Sequence, residues 1–195
     1  VEEELNRLLP VLEVLRSEIQ IPISVDTTKS AVAKQALACG AQIINDVSGL
    51  QNDPEIANAA REYGAGLILM HRRGTPETMQ LMTNYADLME EVIQELGARI
   101  QAAESRGVAL EQIVIDPGIG FAKTAEQSLE LLNRLGEFKR LNRPILIGPS
   151  RKSFIGAVTQ QAPDKRLFGT AAACVLAFER GASIFRVHDV WAVKD

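Results

Sequence analysis

Short apolar runs alternate along this chain with longer stretches in which leucine, valine and alanine recur every three or four positions. Leu5, Leu8, Leu9, Leu12 and Leu15 fall at helical spacing, so the pattern predicts a helix over residues 1–20. The same periodicity predicts helices near residues 30–39, 54–63, 84–106, 124–141 and 166–180. Between them, residues 21–25, 42–45, 66–70, 112–115, 144–147 and 183–187 read as strands. These runs are continuously apolar rather than alternating, as strands buried on both faces are. Gly40, Gly64, Gly107 and Gly181 stand where helices should end, the position that most often takes left-handed backbone.

Six βα units thus follow one another, and no Gly-x-Gly-x-x-Gly turn follows any strand. That favours a parallel barrel over a dinucleotide-binding sheet. No linker or low-complexity segment interrupts the pattern, so residues 1–195 read as one domain. A complete eight-unit barrel takes about 250 residues. The expectation is therefore an α/β chain of the TIM (β/α)8 class in which the first two strands and most of the last helix are missing. Such a chain has two unpaired sheet edges.

Composition narrows the partners. The chain has 21 Lys and Arg against 25 Asp and Glu and no basic block, which argues against nucleic acid or an anionic membrane. No apolar run approaches the roughly 20 residues of a spanning helix, and no signal-peptide pattern opens the chain. Cys39 and Cys174 sit among alanines in helical stretches and read as small core filler, consistent with a reducing cytoplasm.

Chemistry gathers at the carboxyl ends of barrel strands. The six ends here carry Asp26-Thr27-Thr28-Lys29, Asn45-Asp46, Met70-His71, Asp116-Pro117-Gly118, Gly148-Pro149-Ser150-Arg151-Lys152, and Arg186-Val187-His188-Asp189. One strand-end Asp is weak, because Asp also caps helices, and Asp46 and Asp189 are read equally well that way. Asp26 has the same rival role for the helix near Ser30, and Asp116 could shape the turn that follows it. Six polar ends on one rim are hard to explain as capping. Asp26, Asn45 and Asp116 suit a heterocycle offering ring N–H and amino groups. Ser150, Lys152, Arg186 and His188 suit an anion. Arg186 and His188 alternate along the last strand run, so they should share a face.

At these ends the sequence resembles the dihydropteroate synthase family. The matching stretches are PISVDTTKSAVAKQALACGAQIINDVSGL, LILMHRRGTPETMQ, IVIDPGIGFAKT, PILIGPSRKSFIG and FRVHDV, in the family's order. The resemblance implies condensation of 6-hydroxymethyl-7,8-dihydropterin diphosphate with p-aminobenzoate, giving 7,8-dihydropteroate and diphosphate in folate biosynthesis. It implies a pterin pocket of Asp26, Asn45, Asp116 and Lys152 walled by Met70, Phe121 and Gly148. It implies a diphosphate site with Arg186 and His188, and p-aminobenzoate docking by Ser150 and the Lys152 stem, where sulfonamides compete. Asp26, Lys152, Arg186 and His188 would carry the catalysis. Mg²⁺ is implied as cofactor, with its ligand expected in the missing N-terminal segment and none in this chain. A cytoplasmic homodimer is implied too. Without the front segment the chain is expected to lack turnover. Arg72 and Pro149 depart from the usual pattern and read as tolerated variation.

Other readings fit less well. A methyltetrahydrofolate-dependent methyltransferase shares the pterin acceptors but needs neither the Ser-Arg-Lys turn nor the Arg-x-His pair. A non-catalytic pterin-binding paralogue would not need Lys152, Arg186 and His188. A Schiff-base aldolase would place its lysine inside a strand, whereas Lys152 is expected in a loop.

Overall fold

The computed structural model describes residues 1–195. The chain forms two compact units with interleaved sequences, Val1–Met70 with Leu96–Val114 and His71–Glu95 with Ile115–Asp195.

The first unit contains α1 (Glu2–Glu18), β1 (Ser24–Asp26), α2 (Ser30–Ala38), β2 (Ile43–Asp46), α3 (Glu55–Tyr63) and β3 (Gly66–Met70). To these it adds the later part of α4 (Leu88–Glu104) and the start of β4 (Ile113–Asp116). Its strands are parallel and in sequence order, with Asp26 opposite Asn45 and Asn45 opposite Ile68. The strand begins later than the apolar run at residues 21–25 suggests. Pro22 has no N–H to give a ladder, and the Ile23 N–H goes instead to Gln42 Oε1 at 2.8 Å. Only Val25 of β1 is buried, so the expectation of strands buried on both faces fails here and holds for β3 after its first residue.

The second unit contains the start of α4, the end of β4, α5 (Ala125–Asn133), β5 (Ile145–Ile147), α6 (Ser153–Thr159), α7 (Leu167–Glu179), β6 (Ala182–Phe185) and α8 (Val190–Lys194). β4, β5 and β6 are parallel, with Ile115 opposite Ile145 and Ile147 opposite Phe185. β6 ends before Arg186, two residues short of the expected strand, but the Arg186 N–H still reaches Ile147 O at 3.0 Å. The helix expected over 124–141 is broken after Asn133 and continues as a 3-10 stretch, Leu135–Leu141. Gly136 is the second residue of that 3-10 stretch, where a Cβ would stand 3.4 Å from Arg180 O. α4 starts four residues later than its pattern, because the Asp87 carboxylate accepts the N–H groups of Met89 and Glu90 and caps it there. α6 is an element the periodicity did not reveal, and Lys152 stands at its N-cap rather than in an open loop.

Asp46 is a turn former. Fully buried, its Oδ1 accepts the Ser48 N–H at 2.8 Å and hydroxyl at 2.7 Å, and its Oδ2 accepts the Leu50 N–H at 2.6 Å. The turn passes through Gly49 (φ 58°) and Leu50 (φ 67°), and a Cβ on Gly49 would lie 2.7 Å from Met70 O. Replacing Asp46 by Ala strands these buried donors and should lower unfolding free energy by about 2–3 kcal/mol. Urea denaturation reads this, and a loss below about 0.5 kcal/mol would mean that the turn holds itself.

Candidate functional site

In the second unit, Asp116 ends β4 with a side chain almost wholly out of water. Its Oδ1 accepts the Gly118 N–H at 2.8 Å, so the turn-shaping role is real. The other oxygen, Oδ2, is the one available to a ligand. Burial pushes this carboxyl up from the ordinary aspartate range, and Lys152, Lys123 and Arg186 oppose that rise with their charge. Lys152 is held down to about 8 by burial, with Asp116 pulling it up and Arg186 pushing it further down. Its Nζ donates to Ile119 O at 2.5 Å and stands 4.5 Å above the Phe121 ring centroid. Asp116, Phe121 and Lys152 are thus gathered about one turn. A Cβ on Gly148 would lie 3.8 Å from Arg186 Cβ, which places β5's end against Arg186.

Next to this lies a second polar arrangement, around Ser150 and His188. The buried Ser150 hydroxyl stands 2.9 Å from His188 Nδ1 and accepts the His188 N–H at 3.2 Å. Between Ser150 and Lys152 the chain passes through Arg151 at φ 58°, a left-handed conformation that costs a non-glycine residue free energy. Three contacts hold it. Its N–H donates to the buried Thr170 hydroxyl at 3.1 Å, its carbonyl accepts from Arg166 at 2.8 Å, and its guanidinium forms two hydrogen bonds to Asp189 at 3.0 and 2.6 Å. Asp189 therefore pairs with Arg151 and makes no side-chain cap to α8, although it occupies the N-cap position. Arg166 also donates to Lys152 O at 3.2 Å. Gly156 makes room for that guanidinium, since a Cβ there would fall 2.2 Å from it.

In the first unit, Asp26 does not cap α2, whose Ser30 N–H goes to Asp53 Oδ2 at 2.7 Å. Instead Asp26 Oδ1 accepts from Asn45 Nδ2 at 2.9 Å. Asn45 is buried and its Oδ1 is without a partner, a costly state that a ligand donor would relieve. Met70 is buried at the end of β3, its carbonyl accepting from the buried Arg99.

His71, Lys123, Arg73 and Glu95 form a cluster of which the sequence reading named only His71, as a polar strand end. The ring of His71 is fully buried, with Nε2 3.1 Å from Glu95 Oε2 and Nδ1 2.9 Å from Lys123 Nζ. Arg73 pairs with Glu95 and with Glu91, and lies 4.0 Å from the centroid of the Tyr85 ring. Only the position of Lys123 just after the Asp116 turn hinted at this. No group of three or more His, Cys, Asp or Glu side chains is placed to hold a metal ion.

The chain matches the family of pterin binding enzymes over residues 1–188. It is 52% identical over 194 residues to the dihydropteroate synthase of Synechocystis, covering 99% of this chain and 67% of that relative. It spans about two thirds of the length of the curated relatives it matches. Dihydropteroate synthase from Clostridium difficile, solved in the presence of pteroic acid, superposes with a TM-score of 0.93 at 45% identity, covering 99% of this chain and 71% of that one. The Xanthomonas albilineans enzyme in complex with 7,8-dihydropteroate does so with a TM-score of 0.92 at 40% identity, covering 100% and 73%. A further structure of that enzyme, with 4-aminobenzoic acid, gives 0.92 at 40%, covering 100% and 69%.

Glu95 supplies a test of the buried cluster. Burial alone would raise its carboxyl, but hydrogen bonds from His71 and Arg73 outweigh that and bring it from 4.5 to about 2. A folded value below the unfolded one stabilises above the unfolded pKa and is lost as pH falls through the folded one. Glu95→Gln should therefore be less stable than the parent at pH 6–7. The gap should close between about pH 4.5 and about 2 in chemical denaturation. A gap independent of pH would mean that packing, not charge, is what Glu95 supplies.

Proposed function

The chain belongs to the dihydropteroate synthase family of pterin-binding enzymes, α/β barrel transferases of folate biosynthesis, and we propose that Asp116 with Lys152 binds the pterin while Arg186, Ser150 and His188 hold its diphosphate. The observation that carries this reading is the Asp116 carboxylate, almost fully buried with one oxygen held by the turn and three cations around it. Such a group suits the adjacent ring N–H and amino donors of a pterin. In the first unit, Asp26 and Asn45 are read as pterin acceptors in their own right, the orphaned Asn45 Oδ1 being ready to take a ring N–H or amino donor. Met70, Phe121 and Gly148 serve as walls, and Ser150 with the Lys152 stem receives p-aminobenzoate.

In the reaction so read, the amine nitrogen of p-aminobenzoate bonds to the methylene carbon beside the pterin ring. The bond from that carbon to the diphosphate oxygen breaks, and the amine proton passes to solvent. Positive charge building at the carbon is delocalised into the ring, where Asp26 and Asp116 favour it. Arg186 and His188 face the charge that leaves with the diphosphate. Lys152, near 8 in pKa, is largely protonated at neutral pH and donates rather than attacks. Mg²⁺ would be held chiefly by the diphosphate oxygens, since this ion commonly takes only one or two protein ligands, and it would offset the charge that leaves with that group.

A homodimer is part of the same proposal. α7 is apolar on its outer face as well as its inner one, leaving Phe168 85%, Phe178 69% and Val175 59% exposed, with Trp191 of α8 83% exposed. An uncovered patch of that kind favours a second copy over solvent. No helix is long and apolar enough to cross a membrane. The free thiols of Cys39 and Cys174 support a reducing cytoplasm.

Two ligands separate the two halves of the site. Calorimetry should show Asp116→Ala losing on the order of 2–3 kcal/mol for hydroxymethylpterin and for pterin diphosphate alike. Arg186→Ala should weaken only the diphosphate. Parent-like pterin binding by Asp116→Ala would overturn the pterin assignment, and equal losses for both ligands in Arg186→Ala would make Arg186 a structural residue.

A further inference from the structure

We propose that Lys123, oriented by His71, is the positioning residue that holds the Asp116 turn in the shape that binds pterin. The inference rests on the reading that Asp116 is the pterin carboxylate. Lys123 is 2% exposed, and its ammonium donates to Gly118 O at 3.2 Å, Phe121 O at 3.1 Å and His71 Nδ1 at 2.9 Å. An ammonium has donors only, so Nδ1 must accept. The ring then carries its proton on Nε2 and donates it to Glu95. The cation is thereby aimed by a buried ring that cannot turn without losing two partners.

The two carbonyls that Lys123 grips belong to the residues that set the pocket. Gly118 gives its N–H to Asp116 Oδ1, and Phe121 lies beneath Lys152 Nζ. Between them Ile119 offers the carbonyl that Lys152 binds. Gly118 (φ 70°) and Gly120 (φ 77°) take left-handed backbone freely, but Ala122 at φ 52° does so at a cost. A segment of that conformation persists only when its surroundings over-determine it. The His71 N–H adds a further tie, to Asp116 O at 2.8 Å. An apolar side chain would fill the space behind the turn more cheaply than a buried ammonium does. What the ammonium adds is direction, and a positive charge close to the Asp116 carboxylate.

Lys123→Met should weaken hydroxymethylpterin binding about tenfold or more, the scale on which supporting residues act in other sites. Affinity for inorganic diphosphate should stay within about twofold. The charged groups facing Asp116 are Lys152, Lys123 and Arg186, with the His71 ring, itself titratable, beside Lys123. Removing one cation should move the acid limb of pterin binding to higher pH, which a packing defect would not do. Should Lys123→Met not fold, two variants of its partner decide. His71→Gln keeps a donor for Glu95 but withdraws the acceptor from Lys123, whereas His71→Asn keeps an acceptor near the Nδ1 position. The former should lose pterin affinity and the latter should retain most of it. Parent-like pterin affinity and acid limb in Lys123→Met, equal losses for pterin and diphosphate, or equal behaviour of the two His71 variants would each overturn the proposal. Pterin binding unaffected by Asp116→Ala is a different result, and would strike the pterin assignment itself.

Discussion

A carboxylate carried out of water at the end of a strand has to be answered by nearby charge and donors, and Asp116 sets that demand for its unit. Burial favours the neutral acid, whereas Lys152, Lys123, Arg186 and the Gly118 N–H favour the anion. The dependence is mutual, because the same burial lowers Lys152 to about 8 and Asp116 is what keeps it from falling further. Removing either partner leaves the other uncompensated, so the three loops that bring these side chains together are tied to one another electrostatically.

Those loops share a construction principle. Long cationic side chains donate to main-chain carbonyls beside strand ends or in the loops that follow them. Lys123 does so to Gly118 and Phe121, Arg166 to Arg151 and Lys152, and, in the other unit, Arg99 to Met70. Strand-end carbonyls have no ladder partner beyond the last pair, and a donor that carries charge satisfies them more strongly than a neutral one. In the Arg151 turn the arrangement also holds a left-handed arginine in place.

Much of this was legible in the sequence. The order of helices and strands followed from periodicity, and Gly40, Gly64, Gly107 and Gly181 all adopt the positive φ expected after a helix. The polar runs at strand ends are where the fold has them, with Asp116 closing β4, Ser150 and Lys152 following β5, and Arg186 and His188 following β6. What stayed hidden depends on side chains meeting across long intervals. Nothing local to Asp189 says that it pairs with Arg151 rather than capping α8, and nothing local to Lys123 points to His71, 52 positions away. α6 was missed because Ser153–Thr159 is seven residues long, too short to show a helical period. The edges of β1 and β6 slipped because apolar content alone does not say which residue of a run has a neighbour to pair with.

The interleaving of the two units bears on how the chain folds as it is made. Met70 completes β3, yet the unit to which it belongs still awaits Leu96–Val114. Arg99 must arrive to bind Met70 O, Gln112 to reach Ala65 O at 3.0 Å, and Gly107 to lie beside the Arg61 stem. On a ribosome β1, β2 and β3 therefore emerge before the segment that closes their unit. The intervening residues His71–Glu95 belong to the other unit, so the first cannot close until they too have emerged. α4 is itself begun in one unit and finished in the other.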